Sequence, residues 1–321
     1  MSCVGAAIEP MGVPVAGACE RAALAEAAGM DSVWVPQVPN QRDTLSILAG
    51  LAGATKAVAV GSAVVPMYTR PPVVMAQTAL TLDELTGHRL VLGLGLGNPM
   101  VAGWMLGGRP APPMPSAREY LTVVTSLIRD GEVNFTGHWY SGNATYSGPR
   151  RPELPVHLGT FGPRMLELAG ELADGVILWL CSADYVRTTV MPSLRAGWAR
   201  RERPRGDFPV TLMLSVSLTG SAADRANLAR MVAGYGRVPA YRAMFEASGF
   251  GADVAAGRPG DEMIDALAVM GGGHLAGRLQ AYRDAGVTKF AVGPQTGGEF
   301  DPELFTETLR AAAAAGATVI S

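Results

Sequence analysis

Short apolar runs rich in Val, Leu and Ile recur along the chain, and each is followed by a longer Ala/Leu-rich stretch with helical spacing. The runs are Cys3–Ile8, Ser32–Val35, Val58–Val65, Leu90–Gly95, Pro155–Leu158, Gly175–Leu180, Val210–Val216 and Lys289–Val292. Most are apolar nearly throughout rather than alternating, the pattern of parallel strands covered on both faces. Eight such strands alternating with helices predict one α/β unit spanning 1–321, closed as a (β/α)8 TIM barrel rather than left as a doubly wound open sheet.

The helices between the strands carry their own boundary signals. Val15–Ala28 stops at Gly29, which can take the left-handed conformation that ends helices. Asp43 and Thr44 can open the helix to Ala54, and Pro71 and Pro72 sit in the first turn of Val73–Leu85, where proline is tolerated. Ser116 with Glu119 three residues on has the form of a capping box for a helix reaching Arg129. Pro163 opens Arg164–Leu172. Three helix-to-strand joints resemble one another, at Glu26–Val35, Glu171–Leu178 and Arg283–Val292, as a pseudo-symmetric barrel requires.

Two segments break the rhythm. Residues 131–151 contain Val133-Asn-Phe-Thr-Gly-His-Trp-Tyr140, a turn between two short extended runs, which predicts a small hairpin before strand five. Residues 225–273 are long for one crossover and are interrupted by glycines. They predict an excursion of short helices over the barrel mouth, Asp261–Val269 among them.

Composition narrows the function classes. Nearly half of the 321 residues are hydrophobic and the net charge is −2, so there is no electrostatic case for nucleic acid or an anionic membrane. Cys3, Cys19 and Cys181 have neither disulfide nor zinc-ligand spacing and read as buried small hydrophobes. The amino terminus lacks a signal-peptide pattern and no run approaches a membrane span, which predicts a cytoplasmic protein.

In a barrel the chemistry sits at the carboxyl ends of the strands. The exits of strands three, four and five read Val60–Pro72, Leu92–Pro99 and His157–Arg164, each punctuated by glycine or proline, so a flat ligand can approach the main chain. Gly159-Thr-Phe-Gly162 leads into the helix begun by Pro163. Its free amides and the Thr160 hydroxyl suit a phosphate, and they equally suit an ordinary βα turn. The glycines of Gly93-Leu-Gly-Leu-Gly97 alternate strictly, which is not the dinucleotide fingerprint and instead puts them on one strand face inside the barrel.

Titratable candidates are few. His88, His138 and His274 read as turn or solvated residues. His157 on strand five and Tyr68 near the mouth are the catalytic candidates, although a packed core histidine is the more common arrangement. No catalytic triad and no metal-ligand spacing emerges, which leaves the chemistry to a cofactor.

The chain resembles the luciferase-like monooxygenase family, and within it the branch that uses the deazaflavin coenzyme F420. The resemblance rests on Ala27–Val35, Val60–Pro72, Ala76–Gly95, Gly162–Val176 and Tyr282–Val287, which run almost the length of the chain in family order. It implies a non-prolyl cis peptide at Ala63–Val64 backing the cofactor ring. It also implies cofactor contacts at Gln37, Gly95, Gly97 and Asn98, and a phosphate loop at Gly159, Thr160, Phe161 and Gly162. Two departures stand out. Gln37 and Val38 occupy positions where many relatives carry an acidic residue, often followed by histidine. Ala102 precedes Gly103-Trp104 where relatives often show Glu. Loss of these polar groups implies an altered substrate, a proton donor from elsewhere, or weakened cofactor binding.

The expectation is an oxidoreductase moving a hydride between coenzyme F420 and a small organic imine, enone, carbonyl or alcohol. The alternatives are an FMN-dependent monooxygenase and a non-redox barrel serving as a binding or partner subunit. Helix Thr44–Ala54, nearly all small and apolar, together with the resemblance points to a homodimer.

Overall fold

The computed structural model describes residues 3–106, 111–201, 206–295 and 300–320. Eight parallel strands form the barrel: β1 Val4–Ala7, β2 Ser32–Val35, β3 Ala59–Ser62, β4 Leu90–Gly95, β5 Val156–Gly159, β6 Gly175–Trp179, β7 Val210–Ser217 and β8 Lys289–Pro294. Each pairs with the next in sequence, and β8 returns to β1 in the register Val4↔Phe290, so the eight strands close into a ring, with the short strand Val269–Met270 added at the end of β7. The outer faces of the strands meet the surrounding helices in one continuous core that includes Val33, Leu92, Leu158, Leu178 and Leu214. Among the described residues, no helix is long and apolar enough to cross a membrane.

The interior is filled by pairing large side chains with glycines. Trp34, Ile177, Met213 and Ala291 form a second, inner cluster. A Cβ on Gly61 would stand 2.4 Å from the Trp34 ring, one on Gly93 would stand 2.7 Å from Ile177, and one on Gly175 would stand 2.6 Å from His157. Period-two placement sends these positions inward, and the missing side chains make room for bulky ones on the next strand, at Gly61 and Gly175, or the next but one, at Gly93. The alternating glycines at Gly93 and Gly95 therefore serve packing. Gly97 lies beyond the strand, at φ +68°, in the left-handed region that glycine takes without strain.

The helices begin and end close to their sequence signals, with one exception. Asp43 caps Thr44–Ala54 by accepting from Ser46 N–H, and Pro72 opens the helix to Leu85. The helix before the hairpin starts at Pro113 rather than Ser116 and runs to Asp130. Ser116 is thus inside the first turns, with its hydroxyl donating to the Pro112 carbonyl at 2.6 Å. Prolines 112 and 113 set the start, and Glu119 is released from any capping box. Its carboxylate instead accepts from the amides of His138, Trp139 and Tyr140.

The hairpin is present, but its second strand is Gly142–Thr145, paired antiparallel with Glu132–Phe135. The segment 136–141 that the sequence splits between two extended runs forms the connection held by Glu119. The late excursion comprises helices Ala222–Tyr235, Pro239–Ala247, Gly251–Ala256 and Asp261–Leu267.

Candidate active site at the barrel mouth

The floor of the mouth is built at the exit of β3. The Ala63–Val64 peptide is cis, between β3 and a two-residue extension, Val65–Pro66, that pairs with β4. Ser62 anchors this exit by donating its hydroxyl to the Gly93 carbonyl at 2.8 Å and accepting from the Gly93 amide at 2.9 Å. Val64 then lies over two neighbouring strands. A Cβ on Gly95 would come within 2.4 Å of it, and one on Gly159 within 2.6 Å. Ala63, Val64 and Ala7 each pack against the inner cluster. The result is a low apolar platform, walled where larger side chains begin.

Tyr68 stands at one side of the platform, its ring 2.7 Å from where a Gly97 Cβ would be. Burial raises its pKa, so the phenol remains protonated at neutral pH. Asn98 carries the turn into helix Pro99–Leu106, with its carbonyl accepting from Ala102 N–H. Ala102 is buried in that helix, whereas Trp104 is 70% exposed. Gln37 is committed to its own loop. Its carbonyl oxygen accepts from Thr44 N–H at 2.8 Å, and its amide donates to the carbonyls of Val38 and Arg42.

At the exit of β5, Gly159, Thr160, Phe161 and Gly162 lead directly into helix Pro163–Leu172. That helix start has no side-chain cap, so no protein side chain competes for its first-turn amides. Phe161 is held from two directions: its carbonyl accepts from the Tyr185 hydroxyl at 3.1 Å, and its ring packs 4.4 Å from Tyr241. His157 lies one inward position below Gly159. It is buried in the barrel, with its ring stacked on Trp34 at 6.2 Å and 26°. The structure brings Val64, Gly95 and Gly159 together, and Tyr68 with Gly97, while His157 is beneath the rim.

One titratable group at the mouth escapes sequence reasoning. Glu9 follows Gly5 and Ala7 at period two, so its side chain continues the inward row just past β1. Its carboxylate accepts from Met11 N–H at 3.1 Å, and Arg21 donates to its carbonyl at 3.2 Å. Desolvation pushes the Glu9 pKa above the ordinary carboxylate value, against the opposing pull of the Met11 amide and Arg21. The available signal was this period-two continuation of a short strand, which becomes readable once closure fixes its inward face.

The sequence profile of the family described as luciferase-like monooxygenase matches residues 1–289. The chain belongs to the luciferase-like monooxygenase family. Among its relatives is the 5,10-methylenetetrahydromethanopterin reductase of Methanolobus tindarius, 27% identical over 304 residues, covering 88% of this chain and 92% of the relative. A solved F420-dependent secondary alcohol dehydrogenase, in complex with an F420–acetone adduct, superposes with a TM-score of 0.80. It is 19% identical, and the match covers 97% of this chain and 99% of the dehydrogenase. A monooxygenase from Streptomyces bottropensis shares the fold at a TM-score of 0.72 and 19% identity, over 98% of both chains. The chain is thus an enzyme of a luciferase-like family whose members include both reductases and monooxygenases.

Proposed function

We propose that this luciferase-like barrel is a coenzyme F420-dependent oxidoreductase that moves a hydride between the deazaflavin and a small organic substrate. The observation that carries the reading is the platform of Val64 over Gly95 and Gly159, set beside an uncapped helix start. The residues fit the group: a side-chain-poor floor suits a flat ring, and helix amides with the Thr160 hydroxyl suit a phosphate. When bound, the deazaflavin supplies the two-electron chemistry.

The chain's own residues orient and protonate. Val64, Gly95, Gly97 and Asn98 would bear on the ring end, and Gly159, Thr160, Phe161 and Gly162 on the phosphate end. Gln37 would act indirectly by shaping the loop after β2. Glu9, whose neutral form persists above the usual carboxylate range, would hold the proton that the substrate takes up or gives back. Tyr68, a phenol that burial keeps protonated, is the second proton-bearing group at the same rim. His157 would support the floor from below.

The small face of helix Thr44–Ala54, where Ala49, Gly50, Ala52 and Gly53 remain partly open, supports a homodimer. The absence of membrane-length helices among the described residues is compatible with a cytoplasmic location.

Equilibrium titration of the purified protein with oxidised F420 and, separately, with FMN tests the cofactor reading by fluorescence. Saturable binding of F420 with at least about tenfold weaker FMN is expected, a difference of about 1.4 kcal/mol. Preference for FMN would make the protein a flavin monooxygenase instead, and binding of neither would leave a non-redox barrel.

A further inference from the structure

An arc of aromatic rings closes one side of the mouth. Trp179 is the last inward residue of β6, after Gly175 and Ile177, and packs against the inner cluster as the wall beside the Val64 floor. Tyr235, at the end of helix Ala222–Tyr235, stands edge-on to it with centroids 6.2 Å apart at 71°. Tyr241 follows at 4.6 Å from Tyr235, and Phe161 of the β5 exit at 4.4 Å from Tyr241. The late excursion thereby reaches across the exits of β6 and β5, and all four residues are half-buried.

Three features of this arc select a ligand. Edges and faces of rings recognise planar, polarisable groups. The buried Trp179 Nε1–H has the Tyr235 hydroxyl oxygen as its near acceptor but no well-formed hydrogen bond to it, so a ligand oxygen can compete for that donor. No side chain of the arc is cationic, so an anionic group seated against it would lose water without gaining a counter-charge. Glu9 lies close enough to the arc to act on the Tyr235 hydroxyl, and Arg21 beside it disfavours a cation at that carboxylate.

We propose, building on the F420-dependent reading above, that the arc is the substrate wall and that the substrate is an uncharged, planar conjugated carbonyl compound, such as a cyclic enone or an aryl ketone. Its ring packs against Tyr235 and Trp179, and its oxygen accepts from Trp179 Nε1–H. In the reductive direction the electrophilic carbon gains the hydride that reduced deazaflavin loses. The displaced π pair is then protonated with the Glu9 proton, leaving the cofactor oxidised and the carboxylate ionised.

The test uses two independent readouts on the full chain. Binding of acetophenone and cyclohex-2-enone is first followed by ligand-observed NMR without cofactor, with glucose 6-phosphate as the anionic comparison. Steady-state rates with reduced F420 follow. The conjugated ketones are expected to bind and the sugar phosphate not to. Trp179→Phe and Tyr235→Ala should each weaken ketone binding, and raise KM, by about tenfold while the F420 Kd stays within about twofold. Preferential binding of the sugar phosphate, or ketone binding unchanged in both variants, would overturn the assignment. Failure of F420 to bind while the ketones still bind through Trp179 would sink the cofactor reading and leave the wall intact.

Discussion

At the rim, Glu9 has its chemistry set by surroundings that no local motif encodes. The carboxylate keeps contact with solvent, yet the desolvation of the mouth outweighs the Met11 amide and Arg21 and raises its pKa. A raised carboxylate pKa means that the neutral, proton-donating form survives to higher pH and is lost as pH rises through that value. In the reductive direction, kcat/KM should therefore fall on the alkaline side of the Glu9 pKa. Glu9→Gln should lower kcat/KM by about 10²–10⁴-fold and erase that limb, with F420 affinity retained. A pH–rate profile of the variant that keeps the limb would reassign the proton to another group. Tyr68, whose pKa burial also raises, stays neutral throughout the same window.

Among the elements, carboxylates on helices tie neighbouring loops in place. Glu26, near the end of helix Val15–Ala27, accepts from the amides of Lys56, Ala57 and Val58 just before β3. Glu119 does the same for the hairpin connection. Although desolvation opposes it, three amides hold each of these pKa values low. Replacing Glu119 with Ala should speed amide exchange selectively at His138, Trp139 and Tyr140 while the barrel strands keep their protection. Uniform loss of protection would show instead that the hairpin supports the whole fold. The capping-box pattern at Ser116 pointed to the right carboxylate but the wrong partner. Sequence spacing sees the neighbour three residues away, whereas the partners that win lie 19 to 21 residues on.

For the whole molecule, the barrel was legible because a parallel strand covered on both faces leaves an unbroken apolar run. All eight runs locate a strand of the closed sheet, with Ser32–Val35 and Leu90–Gly95 matching at both ends and no end shifted by more than three residues. The Val58–Val65 run hides a break, since the cis bond at Ala63–Val64 divides it into β3 and its extension. That bond was implied by family resemblance and not by periodicity. The rim was less legible. Which loop residues face the mouth depends on closure and on long-range contacts. Thus Gln37 spends its side-chain carbonyl oxygen on the Thr44 helix start, His157 is stacked on Trp34 below the rim, and the Tyr235 and Tyr241 rings arrive from a late excursion.

The Val64 platform has a consequence for how such a mouth can change over generations. Val64 fills space vacated by two glycines on two different strands, so the three positions constrain one another. Gly159→Ala alone should cost about 1–3 kcal/mol through overpacking, whereas Gly159→Ala with Val64→Ala should recover part of that loss. Denaturation midpoints of the two singles and the double would measure the coupling, and strict additivity would refute it. If the coupling holds, a lineage cannot reshape this floor one substitution at a time without passing through a weaker protein. Diversification is then steered away from the platform and toward the ring-bearing excursion, where sequence can drift without crossing that valley.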